Sequence, residues 1–286
     1  MRHLALRPPL TLFSTALLVL WSAIACSSDD DAAPEAPLPT DFSFSDGFET
    51  DGQPISALLP SDGSRWTSVQ LVNPVDTANE LSLTTSPVRS GEQSLRVLAK
   101  ASAATLSKAG IEKAGLGAPA GSTVIIRASF YIDSEADLED LFLLDLECCS
   151  CWDPTVPDNQ CPGVRLTLKR GDYLAIERGK ILGSTLRQTV APVPRGTWFE
   201  LEWEMTLSPD ADGANTLRLD GMEVLSAATA NMPNADTLRE AFARSGVDFT
   251  LQEPVRYERF QIGATANSTV HDVVLYVDDV ELVVRE

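Results

Sequence analysis

The sequence is poor in positive charge, in histidine and in long apolar runs, and each shortage excludes something. Its 22 lysines and arginines stand against 41 acidic residues, a formal charge of −19 at pH 7. A chain this acidic is repelled by phosphate backbones and anionic headgroups, which excludes nucleic acid and charged lipid as partners. The two histidines are His3 and His271, so imidazole chemistry rests on His271 once a leader is removed. The apolar run Leu10 to Leu20 is about half the roughly 20 residues a bilayer-spanning helix needs. No serine or cysteine nucleophile motif, phosphate loop or internal repeat is present, and helix signals are scarce.

The N-terminus has the three parts of a secretory signal: Arg2 and Arg7, the apolar run, and the small-residue end Ala23-Ile24-Ala25. Cys26 follows at once. This quartet resembles the lipobox of bacterial lipoproteins, although leucine is more usual where Ala23 stands. The resemblance implies removal of residues 1–25 and lipidation of Cys26, with membrane contact through that lipid only. Ser27 in place of aspartate implies the outer membrane. The stretch SSDDDAAPEAPLPT then reads as an extended, self-repelling tether over residues 26–41.

Four further cysteines, Cys148, Cys149, Cys151 and Cys161, fall within CCSCWDPTVPDNQC. In an oxidising compartment an even, close set predicts two disulfides, with three connectivities open. The adjacent Cys148-Cys149 pair lacks the C-x-x-C spacing of common zinc knuckles. Strand signals fill most of the remainder. Alternation is clear over residues 122–133, 141–147, 164–171, 173–179, 198–207, 215–221, 259–264 and 273–284. Residues 235–246 form the one convincing helix, with Asp236 or Thr237 as cap and Gly246 at its end. The predicted class is all-β, a two-sheet antiparallel jelly roll with one short helix, as a single domain over residues 42–286.

The order of the pieces carries a second resemblance. DGFETDG precedes an isolated Trp66; SPVRSGEQSLRV, a tryptophan strand, the Asp220-Gly221 turn and the closing YVDDVEL follow. This layout is similar to the concanavalin A-like lectin and glucanase superfamily, which hosts lectins, glycoside hydrolases and polysaccharide lyases. Glu200, Glu202 and Glu204 imitate the catalytic row of family-sixteen hydrolases but lie on the wrong strand. Near the right place, Leu143-Leu144-Asp145-Leu146-Glu147 has leucine where the nucleophile belongs. A solvated ladder, with Arg218 pairing across the hairpin, explains the glutamates of residues 200–204. For lyases on this fold the resemblance implies Tyr, His, Arg or Lys near one sheet, and Arg127 and Tyr131 share a face.

The resemblance also implies a structural calcium held by Glu49 and Asp278, with Asp46 or Asp51 helping and Asp279 as a substitute. The reading these residues favour is a surface lipoprotein whose jelly roll binds glycan without catalysis. Trp152 is its aromatic platform, beside a groove lined by Arg127, Tyr131, Asp145 and Glu200. The alternatives are a polysaccharide-degrading enzyme and an envelope module without ligand.

Overall fold

A computed structural model describes residues 41–72, 79–101, 106–157, 160–187 and 190–286; Cys26 and most of the tether lie outside the described residues. Its strands, numbered in chain order, form two antiparallel sheets. The first contains β1 (Asp41–Asp46), β3 (Glu80–Thr84), β4 (Ser94–Ala99), β6 (Thr123–Ile132), β11 (Trp198–Thr206), β12 (Ala214–Leu219), β13 (Met222–Ala228) and β15 (Val273–Arg285). The second runs in the order β10 (Leu186–Arg187), β9 (Tyr173–Glu177), β8 (Gly163–Lys169), β7 (Leu141–Glu147), β14 (Arg256–Asn267), β5 (Ser107–Pro119) and β2 (Ser68–Val72). This is the expected two-sheet jelly roll.

Period-two alternation decides which side chains meet between the sheets. From the first sheet come Val124, Ile126, Phe130, Phe199, Leu201, Trp203 and Met205, all buried. From the second come Leu144, Leu146, Leu166, Ile176, Phe260 and Ile262, also buried. Each such side chain contributes about 1.5–3 kcal/mol by leaving water. Trp66 closes one end: Phe44 meets it edge-on at 4.9 Å, and Phe48 and Phe260 stack at 5.8 and 6.4 Å.

The helix α1 (Ala235–Arg244) is capped by Asn234, whose side chain accepts from the Thr237 N–H at 2.9 Å, correcting the expected cap at Asp236 or Thr237. Phe242 stacks on Phe249 at 4.4 Å, and Trp152 meets both edge-on at 5.7 and 5.0 Å. The loop beneath carries both expected disulfides, Cys148–Cys151 and Cys149–Cys161. Cys149–Cys161 ties the end of β7 to the chain entering β8.

Gly163 opens β8 opposite Glu147. A Cβ there would lie 2.0 Å from the Leu146 carbonyl oxygen, so only glycine lets the strands meet. Gly163→Ala is expected to lower stability by about 1–3 kcal/mol, the usual cost of overpacking. Gly179→Ala, with nothing within 4 Å, should change little. Urea midpoints of the two variants check this; equal midpoints would contradict the close approach.

Candidate functional site

The outward face of the second sheet is built from the residues that alternation turns away from the core. In one row across the strands Glu112, Gln261, Asp145, Arg165 and Glu177 stand opposite one another in turn. The neighbouring row is Ala114, Arg259, Glu147 and Gly163. Where Gly163 offers no side chain, Lys180 reaches Glu147 from the short 3-10 turn Gly179–Ile181.

These groups form one ionic layer. Arg259 bridges two carboxylates, with Nη2 2.5 Å from Glu147 Oε2 and Nε 3.2 Å from Glu112 Oε2. Gln261 Nε2 donates to the same two groups at 3.0 and 3.2 Å. Ser68 and Gln70 donate to Glu112 from the edge strand. Arg165 Nε lies 3.2 Å from Asp145 Oδ1, and Thr265 Oγ1 donates to that oxygen at 3.3 Å. At the far end Lys169 pairs with Asp140 and Glu177, beside the exposed Tyr173.

The layer has a vertical order. Side-chain exposure is 1% for Asp145, 3% for Glu147 and 9% for Glu112, against 13% for Lys180, 21% for Arg165 and 26% for Arg259. In the middle of the layer these carboxylates lie below and their cations above, whereas at the far end Lys169, 13% exposed, lies below Asp140 at 44% and Glu177 at 18%. Burial pushes the Asp145 carboxyl above its ordinary range; Arg165 opposes part of that rise, and the Glu147 charge adds to it. Burial also pushes Glu147 up, but Lys180 and then Arg259 outweigh it and hold it below the usual carboxylate range. Burial lowers Lys180, and Glu147 recovers only part of that shift. Asp145 Oδ2, Thr167 Oγ1 and Gln261 Oε1 are buried on this face without hydrogen-bond partners, and buried polar atoms are seldom left so.

The sequence-predicted site residues are not brought together. Arg127, Tyr131 and Glu200 lie on the outward face of the first sheet; Asp145 lies on the second. The expected four-residue groove therefore does not form, because alternation gives a residue's face but not its sheet. Arg127 sits 2.5 Å from Glu202 and 2.6 Å from Glu281, and Arg218 pairs with Glu202 and Glu204, the expected solvated ladder. Tyr131 packs edge-on against Trp198 and Tyr276 at 5.8 and 5.7 Å. Trp152 is buried, and its Nε1 donates to the Val156 carbonyl at 3.0 Å, so no ring face is offered to a sugar.

Glu49 and Asp278 do converge on one loop, Arg89–Gln93. Glu49 Oε1 accepts the Glu92 and Gln93 N–H groups, and Asp278 accepts those of Arg89, Ser90 and Asp279. Asp46 is held at 2.6 Å by the Arg65 guanidinium. The backbone N–H groups thus fall on Glu49 Oε1 and on the two Asp278 oxygens. Sequence reasoning missed Lys180, Arg259, Gln261 and Arg165. The opposite charges at matching positions of 141–147 and 164–171 were the one available signal.

No protein-family model matches this chain, and no curated protein does. Solved structures do. The endo-beta-1,4-glucuronan lyase of the fungus Trichoderma reesei superposes with a TM-score of 0.57 at 14% identity, covering 76% of this chain and 90% of that one. Cellulose induced protein, Cip1, gives 0.54 at 14% identity over 84% and 96% of the two chains. Alginate lyase Aly36B gives 0.50 at 15% identity over 87% and 98%. The fold is one that polysaccharide lyases use. This overturns the expectation of a lectin-like module without catalysis: two of these three neighbours are named as lyases and none as a lectin.

Glu147 supplies a test of the layer. Its depressed pKa means it stabilises the fold above the ordinary glutamate range, a contribution lost as pH falls through the lower folded value. Arg259→Met leaves Glu147 and Glu112 buried with less compensation and is expected to cost about 3–5 kcal/mol at neutral pH. The penalty should shrink on acidification as the carboxylates protonate. Urea titrations at neutral and acidic pH check this, and a penalty that grows with acid would contradict it.

Proposed function

We propose that the protein is a polysaccharide-degrading enzyme, a lyase that cleaves uronic-acid polysaccharides by β-elimination on the outward face of the second sheet. The observation that carries this reading is the order at the middle of the ionic layer, with Arg165, Arg259 and Lys180 above Asp145, Glu147 and Glu112 on a face of a strongly acidic chain. An anionic sugar approaching the middle of this face meets Arg165 and Arg259 before Asp145, Glu147 or Glu112. The lyase neighbours that share the fold add support.

Elimination needs the substrate carboxylate neutralised, so that charge developing beside it is stabilised. Arg259 and Arg165 supply that charge and keep their own orientation from the carboxylates beneath. The proton on the carbon next to the carboxylate then passes to a base. Lys180, lowered by burial, is the nitrogen suited to take it. The C–H electrons form the carbon–carbon double bond, the glycosidic C–O bond breaks, and the departing oxygen takes a proton from solvent water. Hydrolysis by Asp145 and Glu147 is the second reading, since alternation sets them about 6.6 Å apart and their pKa values are pushed in opposite directions. It fits less well because both carboxylates lie beneath the cations.

The Cys26 lipobox and acidic tether support an exported, lipid-anchored enzyme at the outer membrane, facing polysaccharide outside the cytoplasm.

Incubation with glucuronan, alginate and other uronate polymers should raise the ultraviolet absorbance of an unsaturated product with at least one of them. Lys180→Ala should lower kcat by about 10²–10⁴-fold, while Arg127→Ala on the opposite face leaves it unchanged. The parent rate should rise with pH through a pKa below the ordinary lysine value. New reducing ends without the ultraviolet signal would replace elimination with hydrolysis, and no cleavage of any polymer would remove the enzyme reading.

A further inference from the structure

The ionic layer ends at a cavity. Opposite Glu258, β5 bulges outward: Tyr257 pairs with Ala118 and Arg259 with Ala114, leaving Gly115, Leu116 and Gly117 out of register. Gly115 and Gly117 take positive φ values of 89° and 62°, which glycine adopts at no steric cost. Leu116 turns into the core and is fully buried, while Gly115 beside it stays exposed. The cavity is about 270 Å³ and is lined by Ala114, Gly115, Gly117, Cys149, Arg256, Glu258 and Arg259.

Its walls and charges suit a sugar acid. Ala114, Gly115 and Gly117 give one side of the wall no bulky side chain, a low surface on which a ring can lie. Two arginines border it. Glu258, the lone carboxylate of the lining, is engaged elsewhere: the Ser150 N–H and hydroxyl donate to it at 2.7 and 2.6 Å. Ser150 belongs to the loop stapled by Cys149–Cys161, and Cys149 itself forms part of the wall. The volume lies just below the roughly 300–1,000 Å³ of sites for drug-sized ligands, which matches one sugar ring rather than a chain segment.

We infer that this cavity is a terminal subsite that holds a single hexuronate ring, with its carboxylate between Arg256 and Arg259. The inference rests on the lyase reading for its role, since a ring held here would lie beside Arg259 at the end of the reactive face. The stapled loop would then stop the polymer chain at this point.

Binding of free glucuronate and mannuronate to the full chain, measured by calorimetry with glucose as control, tests it. Both uronates should bind and glucose should not. Arg256→Met, and separately Ala114→Leu, which fills the cavity while keeping both arginines, should each weaken uronate binding at least tenfold. Each variant's urea midpoint establishes that it is folded. In polymer digests the same variants should shift the products toward longer oligosaccharides. Failure of the parent to bind either uronate, equal binding of glucose, or unchanged binding in both folded variants would overturn the subsite. Polymer cleavage with unchanged variants removes the subsite alone. Uronate binding that depends on Arg256 and Ala114 without cleavage of any polymer keeps the subsite and removes the lyase reading.

Discussion

Glu147 ends β7 as a carboxylate almost wholly removed from water, and a charge in that position is tolerable only with partners of the right geometry. Lys180 supplies one partner and Arg259 the other, and Gln261 donates to the same carboxylate. Much of the second sheet's outward face follows from this constraint. Gly163 must be glycine for β8 to approach. The turn at residues 179–181 must return across the sheet to deliver Lys180. Arg259, held from below by two carboxylates, presents its guanidinium with little freedom left to lose on binding. Such preorganisation makes an electrostatic site effective.

The two outward faces show how the same residue types give different surfaces. On the first sheet Arg127 and Arg218 share the more buried Glu202, but Glu281 and Glu204 beside them are at least as exposed as the arginines. An anionic chain approaching there meets glutamate. At the middle of the second sheet Asp145, Glu147 and Glu112 are sunk, and Arg165, Arg259 and Lys180 stand above them. For a protein of charge −19 this local inversion matters, because unfavourable long-range repulsion is screened within about 10 Å at ordinary salt while contact pairs persist.

The fold was legible where alternation was strong. β6, β7, β8, β11, β12 and β15 all appear within two residues of their sequence-predicted limits, since one buried face imposes a period of two. β5 was not legible: SKAGIEKAGLGAP mixes glycine, alanine and lysine, and its strand character comes from neighbours on both sides. The site was largely illegible for a related reason. Sequence gives each residue's face but not the sheet its strand joins, so Arg127 and Asp145 were assigned to one groove although they lie on different sheets. Lys180 sits in an irregular turn and has no periodic signature. Trp152 appeared free because Phe242 and Phe249, which bury it, lie far along the chain.

The central claim is that uronate polysaccharide binds across the second sheet's cations. A crystal structure of the Lys180→Ala variant with a uronate tetrasaccharide tests it most directly. The account predicts sugar lying along the second sheet, with carboxylates on Arg165 and Arg259. Sugar bound instead on the first sheet, against Arg127 and Tyr131, would contradict it.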